Sequence, residues 1–329
     1  MSASSEPHLA LLFPGQGSQR PGMLADLPRS PAVVRTLEEA QDTLGPLDAW
    51  DTAEAFSTST GAQVALLVAG VAAARSVSDD YGVRAGIVGG MSVGAFAAAV
   101  TAGVLTFAEA LAAVRLRGRL MDRTADGGLW GMAAIEGLRP LDVERLVRRV
   151  ATESEPLWLA NVNSADQIVV SGSGTALARC AQAAAEAGAR RVQALDVVVA
   201  SHCPLQAVTA TRLAEHLSGV PRRAQAIPYL TNTGGRRIRD DAEAVLDDLA
   251  RSAAEPVRWF DAMRLMTELG VTHALQMPPG RVLVGLLPAA VRGHAAALDE
   301  TDYARTIEAL LRDLRRSYPS GSSPPVRAR

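Results

Sequence analysis

Cysteine is nearly missing: there are two, Cys180 and Cys203, with no Cys-x-x-Cys pair and no Cys/His ligand spacing. A disulfide scaffold and a structural zinc knuckle are thereby excluded, and two reduced thiols fit a cytoplasmic protein. Aromatic residues make up only 4% of the 329 positions, so the core must be built from small aliphatic side chains. Charge of one sign is also lacking, with a net −2 and no basic stripe interleaved with aromatics. Nucleic acid is therefore not expected as a partner. No long apolar run stands out. The stretches 62–74 and 93–100 are too short to span a bilayer, and the start MSASSEPH has neither the basic nor the apolar region of a signal peptide. No membrane association is expected.

What remains is ordinary for a globular chain, 48% apolar and 21% charged. Leu9–Phe13 is a short apolar run stopped by Pro14-Gly15, which predicts a buried strand and a turn. Helical spacing follows over 31–44 and 63–77, then an apolar run at 85–89, then helical spacing over 95–103 and 107–124. Strand and helix alternating in this way predict a parallel sheet with helices on both faces. Between about 128 and 199 the texture changes to a βαββαβ order. Strands are expected at 130–135, 158–162, 167–171 and 191–199, and helices at 141–150 and 176–187. After His202 the larger pattern resumes, with helices at 205–217, 242–252, 257–269 and 301–318 and strands at 226–232 and 273–277. The expected fold class is α/β. Residues 1–127 and 200–318 would form a large subdomain of the α/β-hydrolase type with a parallel sheet, and 128–199 a smaller ferredoxin-like α+β subdomain. The tail 319–329, rich in Ser, Pro and Gly, is expected to be disordered.

Gly90-Met91-Ser92-Val93-Gly94 is a G-x-S-x-G motif entered by an apolar strand and left by an Ala-rich helix. A nucleophile elbow needs that setting: a tight turn lifts the serine hydroxyl off the sheet, and the helix N-terminus offers N–H groups to an oxyanion. The competing reading is a Gly-Ser turn without chemistry. A serine nucleophile also needs a proton acceptor. Of five histidines, His202 stands out because it follows the β-branched run Val197-Val198-Val199 in the loop Ala200-Ser201-His202-Cys203-Pro204. His216 falls on a helix, His8 near the terminus, and His273 and His294 read as structural or surface residues. Cys203 reads as a small buried side chain.

Taken together, these residues resemble the malonyl-CoA:acyl-carrier-protein transacylase family. The run Phe13-Pro14-Gly15-Gln16-Gly17-Ser18-Gln19 matches that family's opening motif. Arg117-Gly118-Arg119-Leu120-Met121 matches its R-G-x-x-M segment, and Asn161-Val162-Asn163-Ser164 and Pro256-Val257-Arg258-Trp259 match two more. The likeness spans about 9–316. Within the family, the run from Ser92 to Val100 is most similar to the acyltransferase (epsilon) subunit of malonate decarboxylase. The resemblance implies malonyl transfer from malonyl-CoA to a carrier-protein thiol arm through an ester on Ser92. His202 would act as the base of a Ser-His dyad, and the backbone N–H groups of Gln16 and Val93 would form the oxyanion hole. It implies Arg117 on the malonyl carboxylate and Asn163 as a further polar contact. Arg115, Arg119 and Arg123 are expected on a solvated face. No permanently bound cofactor and no metal is expected. The implied partners are an acyl carrier protein and, for the decarboxylase branch, its other subunits.

Three positions depart from the family. Met91 stands where a histidine is usual, at a position that lines the acyl pocket. Ser252 stands where a glutamine is common, though the family uses only the backbone carbonyl there to hold the histidine. The usual E-x-G-P-G becomes Gln276-Met277-Pro278-Pro279-Gly280. Three other readings compete: a transacylase of fatty-acid or polyketide synthesis, a serine hydrolase, and an inactive scaffold subunit.

Overall fold

The computed structural model describes residues 8–125, 128–197, 199–299 and 302–317. The tail expected to be disordered lies outside these. The elements run β1 (Leu9–Phe13), α1 (Pro31–Leu44), α2 (Ser59–Arg75), β2 (Ile87–Gly90), α3 (Gly94–Thr101) and α4 (Phe107–Ala125). Next come β3 (Trp130–Glu136), α5 (Pro140–Val150), β4 (Leu157–Val162), β5 (Gln167–Ser173), α6 (Gly174–Glu186) and β6 (Arg191–Ala194). The chain then continues through α7 (Ala207–Ser218), β7 (Tyr229–Leu230), β8 (Arg237–Ile238), α8 (Ala242–Arg251) and α9 (Trp259–Glu268). It closes with β9 (His273–Gln276), α10 (Val282–Gly285), α11 (Ala289–Arg292), β10 (Ala295–Ala297) and α12 (Tyr303–Ser317).

The larger sheet has the order β10-β9-β1-β2-β7-β8. Its pairings are parallel apart from β7 with β8. Side chains alternate along β1 and so feed two cores. Leu9, Leu11 and Phe13 pack with α2, α3 and α4, whereas Ala10 and Leu12 pack with Trp259, Met263 and Met266 of α9. A strand buried on both faces reads as a continuous apolar run, which is why LALLF shows no polar alternation. Helix α2 is apolar on every side and lies at the centre of the larger core. Its N-terminus is capped by Thr58, whose hydroxyl accepts from Gly61 N at 3.0 Å. With the π turn that follows, it forms a helix of 22 residues, Ser59–Asp80, longer than the apolar run suggested. Length and composition would let it cross a membrane, but 89% of its apolar 18-residue stretch is buried inside the protein.

The smaller sheet is antiparallel, in the order β4-β5-β3-β6, with α5 and α6 packed on one face. This is the ferredoxin-like arrangement expected. A register shift between Leu159 and Asn161 bends β4, and Asn161 forms a parallel bridge to Val257 of the larger part.

Two strands are shorter than the apolar runs predicted. In the run 191–199 the ladder ends at Ala194, so Val197 and Val199 are not part of it, and Val198 lies outside the described residues. In 226–232 only Tyr229 and Leu230 pair, because Pro228 has no N–H to give a neighbour.

Candidate active site

β2 ends in the elbow. Ser92 has φ 54°, in the left-handed region that side chains with a Cβ rarely adopt. The turn closes through Gly94 N to Met91 O at 2.9 Å and Ala95 N to Ser92 O at 3.1 Å, and α3 starts at once. The two flanking glycines are sterically required. A Cβ on Gly90 would lie 2.1 Å from the carbonyl of Gly94, and one on Gly94 would lie 2.3 Å from Phe13 O. The Pro14-Gly15-Gln16 turn rests directly on the elbow, since a Cβ on Gly15 would come within 3.5 Å of Ser92 Cβ. Among the described residues, neither Gln16 N–H nor Val93 N–H meets a protein acceptor.

Helix α4 delivers Arg117. Gly118 beside it lets α4 approach α2 so closely that a Cβ would fall 2.5 Å from Thr60 Cα. Arg117 is 1% exposed. Its Nη1 donates to Gln63 Oε1 at 2.6 Å and its Nη2 to Ser92 Oγ at 3.1 Å, while Nε has no partner. Among the described residues no carboxylate comes within ion-pair distance. Burial pulls the guanidinium down to about 10, so it remains charged at neutral pH. An unpaired buried cation is a costly arrangement unless an anion arrives to pair with it. Gln63 is itself held by contact with Gln16 Oε1 at 3.3 Å.

His202 also has a left-handed backbone, φ 59°, and is 3% exposed. Its N–H donates to Ala253 O at 3.0 Å. Its Nδ1 lies 2.5 Å from the carbonyl oxygen of Ser252. A carbonyl only accepts, so Nδ1 carries the proton and Nε2 keeps the lone pair. Burial, reinforced by the charge of Arg117 and opposed by the Ser252 carbonyl, pushes the imidazole down to about 3. His202 is therefore a neutral acceptor at physiological pH. The Ser252 side chain points elsewhere, its hydroxyl donating to Leu249 O, so only its backbone serves the histidine.

Other expected residues are placed less directly. Met91 is partly buried and packs against the α9 core cluster. Asn163 donates from Nδ2 to Gln167 Oε1 at 3.0 Å, and its Oδ1 is buried without a partner. No hydrogen bond links it to Ser92, His202 or Arg117 among the described residues. Arg119 and Arg123 are exposed, and Arg115 is intermediate. Gln276 of the divergent loop has a structural role: its Oε1 accepts from Leu283 N and Val284 N, and its Nε2 donates to Gly280 O.

Sequence reasoning missed the group that holds the elbow. Asn232 Oδ1 accepts from Ser92 N at 2.8 Å, and its Nδ2 donates to Gly90 O at 2.8 Å. Asn232 is in turn fixed by Asp248, a buried carboxylate that accepts from Asn232 N, Thr233 N, Thr233 Oγ1 and Tyr229 Oη. The only local signal was an Asn-Thr-Gly-Gly turn, which read as the end of a strand. Gln63 was detectable in principle, as a polar residue inside a helix apolar on every side.

A strained serine between a parallel strand and a helix, with a buried neutral imidazole and a lone guanidinium, defines an acyl-transferring enzyme. The comparisons make this specific. The family described as the acyl transferase domain matches residues 10–316, and the chain belongs to it. It is 36% identical over 283 residues to the malonyl CoA-acyl carrier protein transacylase of Escherichia coli K12, covering 84% of this chain and 91% of that protein. The Haemophilus influenzae transacylase is 36% identical over 304 residues, covering 90% and 96%. Among solved structures, the malonyl-CoA:acyl carrier protein transacylase of Xanthomonas oryzae superposes with a TM-score of 0.85 at 35% identity, over 93% of this chain and 99% of that one. A malonyl-transacylase solved with its type II polyketide acyl-carrier protein gives 0.85 at 36% identity, over 93% and 99%. These relatives are transacylases. None lends specific support to the closeness to the malonate decarboxylase subunit expected from 92–100.

Proposed function

We propose that this chain transfers a malonyl group from malonyl-CoA to the thiol arm of an acyl carrier protein, as a transacylase of fatty-acid or polyketide synthesis. The observation that carries the reading is the buried Arg117, without a carboxylate partner and hydrogen-bonded to the hydroxyl that would be acylated. A malonyl ester on Ser92 Oγ places its free carboxylate only three bonds from that oxygen, within reach of the same guanidinium. A planar fork gives such a carboxylate two parallel hydrogen bonds.

In this mechanism His202 Nε2 takes the Ser92 proton as Oγ attacks the thioester carbonyl. The tetrahedral oxyanion is held by Gln16 N–H and Val93 N–H, each donor stabilising the transition state by about 3–4 kcal/mol. Collapse breaks the C–S bond, and the imidazolium returns its proton to the departing coenzyme A sulfur. The carrier thiol then repeats the steps in reverse. Ser252 contributes a carbonyl that fixes the tautomer, so no third acidic residue is needed. Asn232 holds the elbow. Asn163, with a buried unpartnered Oδ1, is a secondary polar contact for the acyl chain, and Met91 forms an apolar wall. The division into a catalytic part (1–127 and 200–318) and an insert (128–199) belongs to the same proposal.

The acyltransferase subunit of malonate decarboxylase would run the same half-reactions with a different carrier. Purified enzyme with malonyl-CoA should load a fatty-acid-type holo carrier protein and release little free malonate. Loading only of a decarboxylase carrier would favour that branch, and thiol-independent hydrolysis would favour a hydrolase.

A further inference from the structure

Away from the elbow, at the other end of the parallel sheet, three side chains converge that the proposed transfer does not use. His273 opens β9 opposite Leu9, at the start of β1, whereas the elbow leaves β2 opposite Phe13, at its end. His294 immediately precedes β10, with its carbonyl accepting from Ala274 N. Asp313 reaches across from α12. His273 Nε2 lies 3.3 Å from Asp313 Oδ2, and His294 Nδ1 lies 2.6 Å from the same oxygen. The three candidate ligand atoms all fall within 4.8 Å of one another.

We propose that His273, His294 and Asp313 form a divalent transition-metal site of the zinc class, joining the β9–β10 edge of the sheet to α12. Donor atoms about 2.0–2.2 Å from a tetrahedral Zn²⁺ are about 3.3 Å from each other. One edge of the triangle already has that length, and the His294–Asp313 edge needs to open by well under an ångström. Two imidazoles and one carboxylate suit zinc, cobalt or nickel, and are poor ligands for calcium or magnesium, which prefer oxygen. The outer contacts are those a ligand set uses. Thr272 Oγ1 sits 2.8 Å from His273 Nδ1 and orients that ring, and Arg316 Nη2 donates to Asp313 Oδ1, leaving Oδ2 for the metal. Burial grades from His273, inside the protein, to His294, half exposed on a cavity of about 870 Å³ also lined by Asp302 and Asp313. The fourth coordination position would open onto that cavity and take water. Binding replaces the His294–Asp313 hydrogen bond: the His294 ring ligates through Nδ1 as the neutral tautomer that carries its proton on Nε2.

The test uses the full-length, tag-free chain, stripped with a chelator and dialysed against ZnCl₂, with metal content measured by atomic emission. One zinc per chain is expected, with a rise in Tm on adding ZnCl₂ and visible absorption typical of tetrahedral cobalt when Co²⁺ is substituted. His294→Ala and Asp313→Asn change partly exposed side chains and should fold, as far-UV circular dichroism would confirm. Both should lose the bound zinc and the zinc-dependent rise in Tm. Failure of the wild-type chain to retain zinc would overturn the proposal, and so would equal retention by both variants, which would place the metal elsewhere.

Discussion

Replacing Arg117 by alanine should turn a malonyl-selective enzyme into one that no longer distinguishes malonyl from acetyl. In the free protein the guanidinium is fully buried and holds only two neutral partners, Gln63 Oε1 and Ser92 Oγ. A malonyl carboxylate brought to it makes a buried ion pair with fork geometry. Removing one member of such a pair leaves the other charge desolvated and costs about 3–5 kcal/mol, roughly 150- to 5,000-fold in kcat/KM. Acetyl-CoA has no carboxylate, so its transfer does not incur this loss. Its rate also serves as an internal control for the cavity the mutation leaves beside Gln63. Arg117→Lys should fall between, because an ammonium keeps the charge without the fork. The assay is initial-rate transfer to a holo carrier protein from each donor. An equal loss on malonyl-CoA and acetyl-CoA would refute the assignment of Arg117.

Other tests follow from the same geometry. His202 is held near 3, so the basic form persists well below the ordinary histidine value of 6.5, and kcat/KM of the free enzyme should stay flat from pH 7 to below pH 5. An acid limb at 6.5 would contradict this, and Arg117→Ala should move the limb upward by removing a neighbouring positive charge. The same depression means the unfolded chain binds the extra proton first, so stability should fall as pH drops from about 6.5 toward 3, to be followed by circular dichroism alongside the rates. Asn232→Ala breaks both bonds to the elbow and should lower kcat with little change in KM, leaving Gly90 O unsatisfied at a cost of about 1–3 kcal/mol. An unchanged kcat would remove Asn232 from the positioning role. Gly118→Ala places a Cβ 2.5 Å from Thr60 Cα and should destabilise the fold by about 1–3 kcal/mol as α4 is pushed off α2. An unaltered thermal midpoint would show that this approach is not tight.

The parts of the fold that were legible in the sequence were those governed by local pattern. Helix α1 begins at Pro31 and ends before Gly45, and its bounds follow from the proline at its start and the glycine after it. β1 was visible because a strand buried on both faces is uninterrupted in its hydrophobicity. The runs 191–199 and 226–232 misled, because apolar residues also sit in half-exposed connecting segments, as Leu195, Val197 and Ile227 do. The short β8, β10, α10 and α11 left no period to detect. In the site, Ser92 and His202 stood out through the elbow and its loop, and Arg117 through a motif rather than through any physical property of its helix. Asn232 and Asp248 could not be inferred: their role depends on a turn distant in sequence closing onto the elbow, which no local spacing encodes. The histidines at 273 and 294 looked unremarkable for the same reason, since only the folded sheet edge brings them to Asp313.

The most direct test of the central chemistry is the intact mass of the protein mixed with malonyl-CoA in the absence of a carrier thiol. The wild-type chain should gain one malonyl group, localised by peptide mapping to Ser92 and lost on adding a holo carrier protein, while Ser92→Ala should gain nothing. A malonyl adduct of normal yield on the Ser92→Ala protein would contradict the mechanism at its first step.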